Sequence, residues 1–179
     1  MIGVTLLHRQ GHFRQTIDDE GWQHGSPEPW EVHQHAEELT PRVRVRLAGR
    51  DVLIRAWLYV IRGCFEQAVP VLLLDSDLPD NQDNDRQLTD RLYIGDRCQR
   101  LAKEVILGVG GVRMLRALGL NQVQRFHMNE GHAALLAAEL LREHMLSHDK
   151  DAADEEATAA VPRRSLVPTH TPPPSGRRP

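Results

Sequence analysis

The sequence has few cysteines and no long apolar run. Cys64 and Cys98 are the only two cysteines among 179 residues, too few for the disulfide framework of a small secreted domain. The longest apolar stretches, such as residues 69–74, fall far short of the roughly 20 residues needed to cross a bilayer. No basic segment followed by an apolar run opens the chain. These absences argue against a membrane protein and predict a protein of the reducing cytoplasm.

An excess of positive charge is also missing. The 22 Lys and Arg residues are outnumbered by 25 Asp and Glu residues, which gives a formal net charge of -3. General nucleic-acid binders need a net or clustered positive surface that releases counterions from phosphates. We therefore expect no nucleic-acid partner. With 40% hydrophobic and 26% charged residues, the composition is that of an ordinary globular domain.

Three segments carry strand patterns. Residues 4–7 open the chain as a short strand, and residues 69–74 form a continuous apolar run that predicts a strand buried on both faces. Residues 42–60 alternate on both sides of Gly49, which predicts an antiparallel hairpin with Gly49 at its turn. The polar positions of its first strand predict a solvated face rather than a nucleic-acid stripe, and they are Arg42, Arg44 and Arg46.

The segments between these strands have loop composition. Residues 9–40 mix Gly, Pro, His and acidic residues with three aromatic anchors, so we expect an ordered excursion of loop composition there. Asp75, Ser76 and Asp77 end the apolar strand, and the pattern predicts that this end meets water. Aspartates in this position either bind a metal or only terminate the strand and cap the next turn.

A helix is predicted over residues 96–118, with Gly119 as its stop. Gly108, Gly110 and Gly111 lie in its middle, where each costs about 1 kcal/mol relative to alanine. Close approach of another backbone explains such a cost. A dinucleotide-binding loop does not, because that fingerprint requires a third glycine where Arg113 stands.

A strand over residues 123–127 followed by a helix over residues 130–145 completes an α/β unit. His127, Glu130 and His132 lie at its turn as H-x-x-E-x-H, which matches neither H-E-x-x-H nor H-x-x-E-H, so we expect no metal there. Asn129, Glu130 and His132 fall where a strand ends and a helix begins. The residues alone leave two interpretations open, a ligand site at the helix N-terminus or a simple helix cap.

The C-terminal part changes composition. Residues 147–165 are acidic and alanine-rich, which is typical of a linker or a frayed helix, and residues 166–179 combine a truncated strand with a proline-rich tail. The predicted organisation is thus a partial domain over residues 1–146, succeeded by these two segments.

Several motifs resemble those of the bacterial and archaeal α-glucan phosphorylases, and they occur in the order of that family. The two most specific are H-M-N-E-G-H-A-A at residues 127–134 and T-H-T-P at residues 169–172. The others are Q-G-H-F-R-Q at 10–15, G-W-Q at 21–23, P-W-E at 29–31, L-D-S-D-L-P at 74–79, R-L-Y-I-G-D at 91–96 and G-V-G-G-V-R at 108–113.

This resemblance implies an α/β fold, namely part of the N-terminal Rossmann-like domain of a two-domain, GT-B type glycosyltransferase with an antiparallel hairpin excursion. The family cleaves α-1,4-glucan with inorganic phosphate to give glucose 1-phosphate. Its pyridoxal phosphate is held on a lysine of the C-terminal domain. The chain is expected to lack that lysine, to be inactive alone, and to expose apolar surface meant for missing strands.

The resemblance also implies the site residues. His170 would contact the reacting glucosyl unit as a catalytic residue, with Thr171 beside it. Asn129, Glu130 and His132 would line the sugar cleft. Two other hypotheses are carried with this one: a non-catalytic α-glucan-binding module derived from the same domain, and a metal hydrolase using His127, Glu130 and His132.

Overall fold

The computed structural model describes residues 1–10, 13–27, 30–65, 67–91, 96–129, 133–148, 161 and 164–166. A four-stranded sheet runs in the order β1-β6-β5-β4. β1 pairs in parallel with β6, and the other two pairs are antiparallel. Its strands are β1 (Gly3–Leu6), β4 (Glu37–Leu47), β5 (Arg50–Arg62) and β6 (Ala68–Asp75).

The antiparallel hairpin is confirmed as β4 and β5. Its two-residue turn needs positive φ at both positions, and Ala48 (φ 46°) and Gly49 (φ 82°) supply them. The inward positions of β4 are buried and its arginines are exposed, so the predicted solvated face is also confirmed. The hairpin extends past the predicted range at both ends, since β4 starts at Glu37, before the strict alternation begins, and β5 ends at Arg62.

The ordered excursion expected over residues 9–40 contains regular structure that its loop composition did not predict. β2 (Phe13–Ile17) and β3 (Gln23–Pro27) form a separate antiparallel hairpin, and α1 (Val32–His35) comes next. Asp18 stabilises the hairpin turn by accepting hydrogen bonds from the N–H groups of Glu20 and Trp22, at 3.0 and 2.8 Å. All residues of β2 are exposed, so no buried alternation marked it in the sequence.

The predicted long helix is confirmed over residues 97–117. It consists of α3 (Arg97–Val105), a π-helical turn (Ile106–Gly110) and α4 (Gly111–Ala117). Asp96 caps it by accepting from the N–H of Gln99 at 2.8 Å, and Gly119 ends it with φ of 78°. A second helix, α5 (Leu135–Ser147), packs against the π-helical turn.

Gly108 explains the glycines of the long helix. A Cβ built on Gly108 would lie 2.6 Å from the backbone nitrogen of Leu136 and 2.9 Å from the carbonyl carbon of Leu135. Two helix backbones therefore meet at this position, as the sequence predicted. Gly110 and Gly111 face side chains of the sheet instead. A Cβ built on Gly110 would lie 3.4 Å from a methyl group of Val45, and one built on Gly111 would lie 3.3 Å from a methyl group of Val4.

The core fills the space between the helices and one face of the sheet. The opposite face has a smaller cluster of Leu7, Val32 and Trp57 beneath α1. The main cluster joins sheet residues to helix residues, and its fully buried large members are Val45, Val52, Ile54, Leu72, Leu74, Ile106, Val112, Met114 and Leu140.

The C-terminal part of the described chain differs from expectation in detail. β7 (Phe126–His127) is two residues long instead of five, and α5 starts at Leu135 instead of residue 130. β8 (Ser165–Leu166) pairs with β7 in parallel. Most of residues 147–165 and 166–179 lies outside the described residues. A short helix, α2 (Asp83–Arg86), lies between β6 and α3.

Candidate functional site

The carboxyl ends of β1 and β6 lie at the same edge of the sheet because the two strands are parallel. Ligands of α/β proteins bind outside this edge, where the chain leaves the strands. The segments directly after these strands, residues 8–10 and 76–78, are therefore the first place to look for a site. A charged cluster lies there.

Asp75, the last residue of β6, is the centre of the cluster. Its side chain is fully buried. Arg9 donates to both carboxylate oxygens, at 2.9 and 2.7 Å, and Arg55 donates from Nε at 2.6 Å. The indole N–H of Trp57 and the backbone N–H of Asp77 also donate, at 3.1 and 3.0 Å, and the hydroxyl of Thr89 donates at 3.5 Å. The prediction that this strand end meets water was wrong, because two guanidinium groups take the place of water.

The same cluster joins two distant loops. Arg9 also donates to Asp90 at 3.0 Å, and the backbone N–H of Gln10 donates to the carbonyl of Asp90 at 2.9 Å. The Arg91 Nε–H donates to the side-chain oxygen of Gln10 at 2.7 Å. Residues 10 and 91 also form a parallel backbone bridge. After β1 ends, the chain therefore lies beside residues 89–91 and no longer beside β6.

The electrostatics of the cluster define what it can do. Burial alone would raise the pKa of Asp75, but hydrogen bonds from Arg9, the Asp77 N–H and Arg55 outweigh burial and lower that pKa to about 2. A carboxylate that stays ionised is no general acid, and one whose oxygens are held by two arginines is a poor base. The cluster positions loops rather than transferring protons.

The charges within the cluster also balance. Arg9, Arg55 and Arg86 face Asp75, Asp77 and Asp90, with Arg86 bonded to Asp77 at 2.7 Å. Three positive groups therefore meet three negative groups. A binding site for inorganic phosphate needs surplus donors and positive charge, and this cluster offers no such surplus charge.

Acid should lower the free energy of unfolding by protonating Asp75. Its folded pKa of about 2 lies below the ordinary value of 3.8, so its stabilisation is present above pH ~4 and is lost as the pH falls towards 2. The shift corresponds to roughly 2 kcal/mol. Urea unfolding of the native protein and of Asp75→Asn, followed by circular dichroism from about pH 6 to about pH 2.5, should show the two free energies of unfolding converging as the pH falls. A gap that stays constant over this range would contradict the assignment.

Asn129 is the one predicted sugar-binding residue that the structure describes. It is exposed, and it comes directly after the buried Met128, just beyond β7. Glu130, His132, His170 and Thr171 lie outside the described residues, so their predicted roles stay predictions. The interpretation of Asn129 as a helix cap does not fit, because the N-cap position of α5 is Ala134.

No metal centre is found in the part of the chain that the structure describes, where no three His, Cys, Asp or Glu side chains come together to hold an ion. The strand-end aspartates are taken up by arginines, which removes the metal alternative considered for Asp75 and Asp77. Of the metal hydrolase residues, only His127 is described, and it is exposed.

A second buried group of ion pairs is centred on Glu139, and only its local pair with Arg142, three positions along the chain, can be recognised in the sequence. Glu139 on α5 is 3% exposed in its side chain and accepts from Arg113 at 2.8 Å and from Arg142 at 2.7 Å. Arg113 also donates to the backbone carbonyl of Arg44 at 2.6 Å. Through these bonds Arg113 ties α4 to both α5 and β4.

The described helices include none that is long and apolar enough to span a membrane. Cys64 and Cys98 are both exposed and form no disulfide. No protein-family model matches the chain.

Curated proteins are similar to it over nearly its whole length. Glycogen phosphorylase of Mycobacterium tuberculosis is 38% identical over 186 residues, which cover 98% of this chain and 21% of the relative. Maltodextrin phosphorylase of Thermococcus litoralis is 30% identical over 181 residues, with the same shares. Glycogen phosphorylase of Aquifex aeolicus is 30% identical over 180 residues, or 96% of this chain and 25% of the relative. The chain thus spans about a fifth to a quarter of the length of these relatives.

Proposed function

The chain is a partial member of the α-glucan phosphorylase family, and from this we propose that it forms one wall of the glucan cleft in an enzyme that cleaves α-1,4-glucan with inorganic phosphate. The products are glucose 1-phosphate and a shortened glucan. The observation that carries the proposal is the similarity to glycogen and maltodextrin phosphorylases over 96–98% of the chain. The parent fold is the two-domain, GT-B type, and this chain belongs to its N-terminal Rossmann-like domain.

Within this proposal, the residues after β7 contact the sugar. Asn129 is exposed at the end of that strand, where its amide can both donate to and accept from sugar hydroxyls. Glu130 and His132 come after it in the sequence and line the same cleft. His170 contacts the reacting glucosyl unit and Thr171 lies beside it, which makes their contribution one of position and electrostatics.

Pyridoxal phosphate would supply the phosphate group that exchanges protons with the attacking phosphate. The described residues do not fit this cofactor. Lys103 is the one lysine among them, and its ammonium donates to the backbone carbonyl of Arg91, so it is already committed to a structural contact. We therefore assign the cofactor to the part of the enzyme beyond this chain, and we expect the 179 residues alone to be inactive.

Purified 179-residue protein should release no glucose 1-phosphate from maltodextrin and phosphate, with added pyridoxal phosphate or without it. The same assay on the complete Mycobacterium tuberculosis relative serves as the positive control. Turnover by the short chain would overturn the assignment of the cofactor to another part of the enzyme.

Calorimetry with maltoheptaose separates the proposal from a free-standing glucan-binding module. One wall of a cleft should give no heat of binding at millimolar sugar, whereas a module should bind with a defined stoichiometry. Binding that is lost in Asn129→Ala would favour the module. Stoichiometric zinc in the purified protein would instead favour the metal hydrolase.

A further inference from the structure

Two histidines lie one helical turn apart at the C-terminal end of α5. His144 and His148 have the spacing H-x-x-x-H, which places both imidazoles on one helix face, as in the zinc-binding motif H-E-x-x-H. Their ring centroids are 4.2 Å apart, and the ring planes are tilted by 32°. The residues at 127–132 do not have this spacing, so the α5 histidine pair is a separate candidate for metal binding.

Hydrogen bonds fix the tautomer of His148. Its Nδ1 lies 2.8 Å from the backbone carbonyl oxygen of His144, and a carbonyl oxygen can only accept, so Nδ1 carries the proton. The hydroxyl of Ser147 donates to the same carbonyl at 2.8 Å and lies 3.0 Å from the same Nδ1. Nε2 of the neutral ring therefore has the free lone pair. Metal-binding histidines are oriented in this way, through the ring nitrogen that does not hold the ion.

His144 contributes a ring nitrogen without a partner. Its Nε2 is buried and makes no hydrogen bond, although buried polar atoms are nearly always paired. An unpaired buried nitrogen costs free energy until a ligand binds it. His148 is exposed, and exposed side chains change rotamer rapidly, so its ring can turn and open a path from solvent to Nε2 of His144.

The distance between the rings fits one shared ion. Two imidazoles bound through nitrogen to one tetrahedral zinc ion, with Zn–N distances of about 2.1 Å, have ring centroids roughly 5 Å apart. The observed separation of 4.2 Å is slightly shorter. A small rotation of the exposed ring removes the difference.

The surroundings favour a cation and leave the rest of its coordination shell to water. The last carbonyl groups of a helix give that end a partial negative charge. Glu139 and Glu143 are held by arginines, and no third His, Cys, Asp or Glu joins the pair among the residues that the structure describes. Imidazole nitrogen binds transition-metal ions such as Zn²⁺, whereas Mg²⁺ and Ca²⁺ prefer oxygen ligands.

We propose that His144 and His148 chelate a divalent transition-metal ion through their Nε2 atoms, with water as the remaining ligands. The ion joins residues one turn apart and so closes the last turn of α5. It binds the folded helix better than the unfolded chain, and it therefore stabilises the folded protein by mass action. The site is independent of the phosphorolysis proposed above.

Zinc titration of the 179-residue protein, first freed of metal with a chelator, tests the site slightly above neutral pH, where histidine is uncharged. Calorimetry should show one Zn²⁺ bound per chain, and saturating Zn²⁺ should raise the urea midpoint, whereas Mg²⁺ should do neither. His148→Gln should weaken zinc binding at least tenfold and abolish the rise of the midpoint. The side chain of His148 is exposed, so this variant should fold as the native chain does.

His33→Gln is the matched control, because it removes an exposed histidine of α1 that has no histidine one turn away. It should bind Zn²⁺ as the native chain does. Failure of the native chain to bind Zn²⁺ would overturn the proposal. Equal binding by His148→Gln and the native chain would also overturn it, and would assign the ion to other residues, such as those of the metal hydrolase at 127–132.

Nuclear magnetic resonance of the ring nitrogens identifies the atoms that hold the ion. Zn²⁺ should shift the Nε2 resonances of both His144 and His148 and leave those of His33 unchanged. A shift at only one ring of the pair would overturn the proposal. So would coordination through Nδ1 of His148, since that nitrogen carries the proton donated to the helix carbonyl.

Discussion

Replacing Asp75 with asparagine should lower the free energy of unfolding by about 3–5 kcal/mol. The substitution keeps the shape of the side chain but removes the negative charge that faces Arg9 and Arg55. The side chains of these arginines are only 23% and 15% exposed. Water therefore solvates their unpaired positive charges poorly. The new amide NH2 group also points at a guanidinium group, which cannot accept a hydrogen bond.

Asp77→Asn is the matched control for this variant. It is the same substitution two positions along the chain, in a carboxylate bonded to Arg86 at 2.7 Å. There both side chains are more exposed, at 33% and 40%, so the loss should stay below about 1 kcal/mol. Urea denaturation near neutral pH measures both variants. Equal losses would show that burial of Asp75 adds nothing to its ion pair.

A second readout separates loss of the cluster from general loosening. Arg9 connects Asp75 to Asp90, and the N–H of Gln10 bonds to the carbonyl of Asp90. In Asp75→Asn the exchange rate of the Gln10 amide should therefore rise by a larger factor than that of Val45, which is fully buried in β4. A uniform increase at both amides would mean that the variant only lowers global stability.

The elements that the sequence predicted well are those fixed by local pattern. The β4–β5 hairpin results from alternation over both strands and a turn at Ala48 and Gly49, and neither depends on distant residues. The long helix has a capping aspartate, an apolar stripe and a terminal glycine within 24 residues, numbered 96–119. Each local choice agrees with the final fold, which is why the pattern was sufficient.

Two kinds of feature were predicted poorly, namely a strand without a hydrophobic period and ion pairs between distant residues. The β2–β3 hairpin is stabilised by the Asp18 turn and has an exposed first strand, so it carries no hydrophobic period. Asp75 looked like a strand end in water because its partners, Arg9 and Arg55, are 66 and 20 positions away in the sequence. The sequence does not predict ion pairs of this kind, because they form only when the sheet brings distant segments together.

The candidate site, like the fold, could be predicted from the sequence only in part. Residue patterns alone left Asn129 as either a cap or a ligand residue, and only resemblance to the phosphorylases favoured sugar contact. The start of α5 at Leu135 removes the cap interpretation for Asn129, because the N-cap of the helix is Ala134, five positions after Asn129. The charged cluster at the carboxyl edge was found only in the fold, because no sequence pattern predicted that Asp75 contacts Arg9 and Arg55.

Gly108→Ala tests the closest contact between the two long helices. On an isolated helix this substitution would stabilise by about 1 kcal/mol. Here the added Cβ would lie 2.6 Å from the backbone nitrogen of Leu136, well inside van der Waals contact. Backbone cannot rotate away as a side chain can, so α5 must shift as a unit. The shift would strain the bonds of Glu139 to Arg113 and of Glu143 to Arg116, which are 2.8 and 2.9 Å long.

The expected net result is a loss of about 3 kcal/mol in the free energy of unfolding, at the upper end of what overpacking costs. Gly110→Ala is the matched control in the same π-helical turn. The nearest atom to its added Cβ is a methyl group of Val45 at 3.4 Å, so its effect should stay within about 1 kcal/mol of zero. Thermal and urea unfolding measure the stability of both variants, and amide exchange at Leu136 reports the local effect at the helix contact. If Gly108→Ala were as stable as Gly110→Ala, the two helix backbones would not be in contact, and the glycines would need another explanation.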